Sequence, residues 1–156
     1  MAIRSAGILL YRQSEGGILV LLVHPGGPFW TKRDVGAWSI PKGEYPDDED
    51  PEAAARREFA EETGMLPSGP SLALGEIRQK AGKHVIGFAI EGDFDPDALR
   101  SNTFEMEWPP RSGRMQSFPE VDRAEWFDLL RAREKILPSQ RPFLERLAEI
   151  CAQRRA

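Results

Sequence analysis

The sequence predicts an α/β fold in which a mixed sheet is sandwiched between helices. Three observations lead to this prediction. Strand-like apolar runs flank a central helix-forming segment, that segment has distinct start and stop signals, and an amphipathic helix closes the chain. A chain of 156 residues suits one domain with a proper core, so residues 1–156 are expected to form a single domain.

The first predicted element is a β-hairpin formed by residues 5–12 and 17–24. Both runs are rich in Ile, Leu and Val, and residues 13–16 between them supply turn-forming side chains. Their nearly continuous apolar character predicts strands that are buried on both faces. A loop at residues 25–35 and a short strand at residues 38–43 are expected to follow.

The central helix is predicted from its caps. Asp50 is a good N-cap, and Pro51 suits the first helical position. Three alanines follow, and alanine is the best helix former. Gly64 is a natural C-cap, so the helix should run for roughly three to four turns.

Three glutamates should share one face of this helix. Glu61 and Glu62 lie three and four residues after Glu58, and side chains at these offsets are neighbours on a helix. Their mutual repulsion costs helix stability, which a bound divalent cation would offset. Phe59 falls on the other side and is expected to enter the core. The spacing therefore indicates metal-assisted chemistry on a phosphate.

The second half of the chain is predicted to complete the sheet and to end in a helix. The expected elements are a strand pair at residues 71–80 and 84–92, a long irregular segment at 93–119, a short strand at 124–127, a helical turn or two at 128–135, and an amphipathic helix from 139 to about 154. A long irregular segment in a compact domain is often functional or mobile.

Composition narrows the class of partner. The net charge of −4 and the scattered basic residues argue against a stable nucleic-acid partner. The single cysteine, Cys151, allows no intrachain disulfide and fits a reducing cytoplasm. Residues 1–5 lack the features of a signal peptide, and no apolar run approaches about 18 residues, so no membrane partner is expected. A homodimer remains open.

The segment from Gly43 to Met65 resembles the Nudix box of the Nudix (MutT-type) hydrolases. That pattern is Gly, five residues, Glu, seven residues, then Arg-Glu-apolar-any-Glu-Glu-any-Gly-apolar. The matching residues are Gly43, Glu49, Arg57, Glu58, Phe59, Glu61, Glu62, Gly64 and Met65. A solvated acidic helix laced with salt bridges is the alternative, but so many matched positions are improbable by chance. The resemblance implies the family's α/β/α sandwich with a mixed sheet.

The resemblance also implies a Mg²⁺ or Mn²⁺ cofactor. By position, the metal ligands would be Glu58, Glu61, Glu62 and the backbone carbonyl of Gly43 or Lys42. Arg57 would orient the carboxylates through charge-assisted hydrogen bonds. Glu49 would be structural.

A further glutamate is expected in a late loop. MutT-type enzymes often carry one six residues before a strand tryptophan, and Glu120 has this offset from Trp126. Glu120 is therefore a candidate fourth ligand or general base, with an exposed surface acid as the alternative. The general base stays open among Glu58, Glu61 and Glu120.

Substrate contacts are predicted from residue type. The aromatic side chains that could stack on a nucleobase are Tyr11, Phe29, Trp30, Phe104 and Trp108, each with core or loop packing as its alternative. Among these, Trp30 is taken as a substrate-binding residue. Lys42, Arg111 and Arg114 could hold phosphates. Gln140 lies where a related enzyme type places an amide that reads a purine edge.

The function implied is hydrolysis of a nucleoside diphosphate linked to another moiety. A nucleoside triphosphate or a dinucleoside polyphosphate is favoured as substrate over a sugar nucleotide such as ADP-ribose. One alternative is a non-catalytic nucleotide-sensing module on the same fold, although every box glutamate is present. Another is isoprenoid diphosphate isomerisation, which typically uses a cysteine near the core, whereas Cys151 lies in the last helix.

Overall fold

Eight strands and three α-helices make up the computed structural model, which describes residues 3–155; Met1, Ala2 and Ala156 lie outside the described residues. In chain order the elements are β1 (Arg4–Ser14), β2 (Gly17–Pro25), β3 (Lys42–Glu44), α1 (Pro51–Thr63), β4 (Ser71–Gln79), β5 (Lys83–Glu91), β6 (Thr103–Glu107), β7 (Met115–Pro119), β8 (Val121–Asp128), α2 (Leu129–Lys135) and α3 (Arg141–Arg155).

Six of these strands form one mixed sheet in the order β4–β5–β1–β2–β8, with β3 pairing on β1. The β1 and β5 strands run parallel, and the other pairs are antiparallel. The hairpin of β1 and β2 is confirmed, and β1 is buried continuously from Ser5 to Tyr11.

The sheet is covered by helices on both faces. Leu9 and Tyr11 of β1 point into a core that includes Phe143 and Leu147 of α3. Their neighbours Ile8 and Leu10 belong to a second core on the opposite face, which α1 covers. Alternation along a strand places successive side chains on opposite faces, so a continuous apolar run is buried throughout. The predicted α/β/α sandwich is confirmed.

The caps of α1 are those that the sequence predicts. The Asp50 carboxylate accepts a hydrogen bond from the backbone N–H of Ala53 at 3.1 Å. Gly64 adopts a left-handed conformation with φ of 88°, and its N–H donates to the carbonyl of Ala60 at 2.8 Å. Glycine reaches this conformation without steric cost. Phe59 is fully buried under the helix.

Residues 93–119 differ from the prediction. They contain a separate hairpin of β6 and β7, in which Thr103 pairs with Pro119 and Glu107 pairs with Met115. These strands carry polar side chains and only two half-buried aromatics, Phe104 and Phe118. They therefore lack the apolar run by which the sheet strands are recognised.

Two strand boundaries also differ. The strand expected at residues 38–43 is confined to Lys42–Glu44, with Ser39 forming an isolated bridge to Val23. The last strand is longer than expected and begins at Val121. Of the helices formed between residues 3 and 155, none is long and apolar enough to cross a membrane.

Candidate active site

Arg57 holds the carboxylates of Glu49, Glu58 and Glu61 in place. Its Nε and Nη2 donate to the two carboxylate oxygens of Glu49 at 3.0 and 2.8 Å. Its Nη1 donates to Glu58 at 2.7 Å and to Glu61 at 3.2 Å. These hydrogen bonds raise the pKa of Arg57, and the bond to Glu49 contributes most. One guanidinium thus orients three glutamates from a single point.

Gly43 makes room for the Glu58 carboxylate. A Cβ atom at this position would lie only 2.0 Å from Glu58 Oε2, so no other residue fits without displacing the carboxylate. The side chain of Glu58 is 12% exposed, and burial raises its pKa despite the nearby Arg57. The box glycine is therefore required by close approach rather than by its backbone angles.

Glu62 lies deeper in the site. Its Oε1 accepts a hydrogen bond from the backbone N–H of Lys42 at 3.2 Å. Burial raises the pKa of Glu62 to about 8, and the negative charges of Glu58 and Glu120 add to the shift. Burial lowers the pKa of the Lys42 ammonium group, which Glu62 opposes. Both side chains are therefore desolvated beside one another.

A backbone connection brings Glu120 to the same site. The N–H of Asn102 donates to the carbonyl of Glu61 at 2.8 Å, and the N–H of Glu120 donates to the carbonyl of Asn102 at 2.9 Å. The N–H of Val121 bonds to Ser101 Oγ at 3.0 Å. Residues 101–102 thus tie the end of α1 to the start of β8. No local sequence signal marks Asn102, because its role depends on contacts distant in sequence.

Two cavities open at these residues. The acidic cavity, of about 400 Å³, is lined by Lys42, Gly43, Glu44, Glu58, Glu62, Asn102 and Glu120. The apolar cavity, of about 210 Å³, is lined by Val23, Pro25, Trp30, Ala37, Ser39, Ile40, Lys42, Glu62, Glu120, Val121 and Leu137. The two cavities share Lys42, Glu62 and Glu120.

Several residues singled out from the sequence lie elsewhere. Glu61 is 41% exposed and bonds to Arg57 outside the lining of either cavity. Arg111 and Arg114 are exposed in the loop between β6 and β7 and line neither cavity. Of the aromatic candidates, Trp30 lines the apolar cavity, whereas Tyr11 is buried in the core.

Gln140 supports the wall of the apolar cavity from behind. It is completely buried; its Oε1 accepts from the backbone N–H of Ile40 at 3.1 Å, and its Nε2 donates to Ser39 Oγ at 3.0 Å. Because the side chain is fully buried and lines neither cavity, it does not reach a purine edge in the apolar cavity. The structure therefore assigns Gln140 a supporting position instead of the expected substrate contact.

The donor set fits a hard divalent cation. Glu58, Glu62 and Glu120 offer carboxylate oxygens around the acidic cavity, and Mg²⁺ and Mn²⁺ favour oxygen ligands. Between residues 3 and 155, no three acidic, histidine or cysteine side chains form a preassembled ligand group. The reason is geometric, because Glu58 turns to Arg57 and Glu62 to the backbone of Lys42.

The structure thus combines an α/β/α sandwich with a helix whose glutamates face a cavity, an arrangement that suits metal-assisted chemistry on a phosphate. A family model described as "NUDIX domain" matches residues 1–147. The chain therefore belongs to the Nudix family and is a Nudix pyrophosphohydrolase.

Comparison with individual proteins agrees with this assignment. The chain is 29% identical to an RNA pyrophosphohydrolase of Brucella anthropi over 161 residues, covering 88% of this chain and 87% of the relative. The Nudix domain of Shewanella oneidensis NrtR, solved with ADP ribose, superposes with a TM-score of 0.67 at 18% identity, covering 97% of this chain and 89% of that one. The C. elegans Ap4A hydrolase in a binary complex superposes with a TM-score of 0.62 at 21% identity, covering 97% of this chain and 99% of that one. These two structures show the shared fold.

Proposed function

We propose that the protein hydrolyses a phosphoanhydride bond in a nucleoside 5′-polyphosphate group with the help of Mg²⁺ or Mn²⁺. The observation that carries this proposal is the junction of the two cavities at Lys42, Glu62 and Glu120. An apolar space next to carboxylates suits a molecule with a flat base at one end and phosphates at the other. The polyphosphate group is common to nucleoside triphosphates and dinucleoside polyphosphates, the two substrate classes that the sequence favours.

In this proposal the nucleobase occupies the apolar cavity. The volume of about 210 Å³ suits a single base, and Trp30 supplies an aromatic surface on which a base can stack. Lys42 lies at the junction with the acidic cavity, where its ammonium group would contact the phosphates.

Glu58, Glu62 and the backbone carbonyl of Gly43 would hold the cation, with Glu61 joining them if it leaves Arg57. When bound, the cation neutralises charge on the bridging and leaving oxygens of the phosphates. Arg57 fixes the direction in which Glu58 presents its carboxylate. The raised pKa values of Glu58 and Glu62 indicate that both carboxylates gain from a nearby positive charge.

Glu120 is proposed as the general base. Its side chain is exposed to both cavities, and within the described part of the chain its carboxylate has no hydrogen-bond partner. Glu58 and Glu61, by contrast, bond to Arg57. A free carboxylate at the junction can accept a proton from the attacking water. The tether through Asn102 keeps it at that place.

A substrate panel tests the proposal. ATP, a dinucleoside tetraphosphate, 5′-triphosphorylated RNA and ADP-ribose are incubated with Mg²⁺ or Mn²⁺, and the products are identified by mass. The first three carry a 5′-polyphosphate, and the RNA is included because of the name of the Brucella relative. Turnover of at least one of these, faster than of ADP-ribose, is expected. Tight nucleotide binding with no turnover would favour the non-catalytic sensing alternative.

Trp30 and Phe29 provide a matched pair for the base-binding step. Trp30 lines the apolar cavity, whereas its neighbour Phe29 is 65% exposed and packs against Trp108. Trp30→Ala is expected to raise KM about tenfold, because loss of base stacking costs about 1–3 kcal/mol. Phe29→Ala should keep KM within about twofold of the wild-type value. The tenfold change expected for Trp30→Ala corresponds to about 1.4 kcal/mol of binding free energy. Equal effects of the two substitutions would contradict the placement of the base.

A cytoplasmic location and a homodimer stay predictions.

A further inference from the structure

His24 is a buried histidine directly behind the apolar cavity, and both of its ring nitrogens form hydrogen bonds. It is 1% exposed, and its neighbours Val23 and Pro25 both line that cavity. Its Nδ1 lies 2.8 Å from Asp122 Oδ1, and its Nε2 lies 2.6 Å from the backbone carbonyl oxygen of Arg33. The ring therefore bridges β8 and the loop that follows β2.

The backbone carbonyl determines the direction of one contact. A carbonyl oxygen only accepts hydrogen bonds, so His24 Nε2 donates to the carbonyl oxygen of Arg33. On the other side of the ring, Nδ1 shares a hydrogen bond with the carboxyl group of Asp122. Both ring nitrogens are thus bonded to groups that are distant in sequence from each other.

The groups that His24 connects are the two ends of the proposed site. Arg33 bonds through its N–H to the carbonyl of Trp30 at 3.0 Å, and its guanidinium carbon lies 5.6 Å from the centre of the Trp30 ring. Asp122 lies on β8, two residues after Glu120. The ring thus adds a side-chain link between the segment carrying Trp30 and the strand that follows the proposed base. It lies beside the backbone bond from the N–H of Gly26 to the carbonyl of Glu120 at 2.9 Å.

The charged side chains beyond the direct contacts of His24 interact with other groups. The Trp38 indole packs edge-on against His24, with ring centres 5.2 Å apart. Asp34 is occupied by Trp38 Nε1 at 2.8 Å and by the ammonium group of Lys135. Arg123 lies over the Trp38 ring, 5.1 Å from its centre. The charged side chain in direct contact with His24 is Asp122.

We propose that His24, held between the carboxyl group of Asp122 and the backbone carbonyl of Arg33, is a positioning residue that sets the Trp30 side of the cavity relative to Glu120. This inference rests on the proposed function for the substrate and for the roles of Trp30 and Glu120. Loss of the contact with Arg33 frees the segment carrying Trp30, which weakens nucleotide binding. The catalytic carboxylates stay in place, so the chemical step is largely preserved.

The contact with Arg33 is tested first, without any substrate. The ¹⁵N-labelled protein is examined for protons bonded directly to the histidine ring nitrogens. The chain has only two histidines, so a His84→Gln variant assigns the signals. We expect a proton on Nε2 of His24 that exchanges slowly with solvent, because the ring is buried and this nitrogen donates to the Arg33 carbonyl. A proton that is absent from Nε2, or that exchanges as fast as an exposed one, would overturn the inference regardless of whether the protein hydrolyses nucleotides.

Two substitutions then separate the two contacts. His24→Gln keeps a donor on the Nε2 side, toward Arg33, whereas His24→Asn keeps one on the Nδ1 side, toward Asp122. We expect His24→Asn to raise KM about tenfold, equivalent to about 1.4 kcal/mol of binding free energy. His24→Gln should raise it clearly less, and kcat should change little in either variant. A loss of kcat at constant KM, or equal KM values for both variants, would overturn the positioning role.

Asp122→Ala and His84→Gln complete the design. Asp122→Ala removes the hydrogen-bond partner of His24 Nδ1 at a partly exposed site, so it decides the matter if the His24 variants fail to fold. Its KM should rise. His84→Gln removes the other histidine, which pairs with Glu76 on the β4–β5 edge and lines neither cavity, and should keep wild-type KM. Binding of a non-hydrolysable nucleoside triphosphate analogue, measured as Kd, replaces KM if no substrate is turned over. Wild-type affinity in Asp122→Ala would refute the proposal.

Discussion

Replacing Glu62 by Gln should stabilise the metal-free protein while removing its activity. Burial raises the pKa of this carboxyl from its ordinary value of 4.5 to about 8. The folded state thus binds the proton more tightly than the unfolded chain. The contribution of Glu62 to stability is therefore fully present below about pH 4.5 and is lost as the pH rises toward about 8.

The size of the effect follows from this shift. At neutral pH the unfolded carboxyl is ionised and the folded one is largely protonated, and each pKa unit corresponds to about 1.4 kcal/mol. The penalty is at most about 3 kcal/mol, and partial solvent access reduces it to about 1–2 kcal/mol. Gln avoids this penalty and can still accept from the Lys42 N–H at the position of Oε1. For a chain of this size, Tm should rise by about 2–8 °C.

Thermal melting over a pH series in EDTA measures this prediction. The wild type should lose stability between acidic and mildly alkaline pH, and Glu62→Gln should lose less. Added Mg²⁺ should stabilise the wild type more than the variant, because a ligand stabilises the state that binds it. Glu15→Gln, in the exposed β1–β2 turn, is the control and should follow the wild type. An equal or lower Tm of Glu62→Gln in EDTA at neutral pH would refute the reasoning.

Three further predictions concern catalysis. Excess EDTA should abolish turnover and Mg²⁺ or Mn²⁺ should restore it, measured as phosphate or pyrophosphate release; full turnover in EDTA would exclude metal dependence. Gly43→Ala should lower kcat/KM by about 10²-fold, because its Cβ would lie 2.0 Å from Glu58 Oε2; wild-type kinetics in this variant would show that the position of Glu58 is unimportant. Glu120→Gln should lower kcat by about 10²–10⁴-fold with little change in KM; a wild-type rate would return the base to Glu58 or Glu61.

The pairing of β6 with β7 shows why the sequence predicts an irregular segment at residues 93–119. These strands do not join the main sheet and have five residues each. Their partly buried apolar side chains are Phe104, Met106 and Phe118, which form too short a pattern to indicate a hairpin. By contrast, β1 and β2 lie at the centre of the sheet, where both faces must be apolar. Local pattern therefore predicts buried strands well and exposed hairpins poorly.

The sequence by itself determined the family, the capped helix and the shared face of its glutamates, because each depends on spacings of a few residues. Only the tertiary structure decided that Asn102 tethers Glu120 to α1, that Gln140 is buried behind the cavity wall, and that His24 joins Asp122 to Arg33. These contacts join residues far apart in the chain. Their geometry follows from how the sheet and helices pack, which no local spacing encodes.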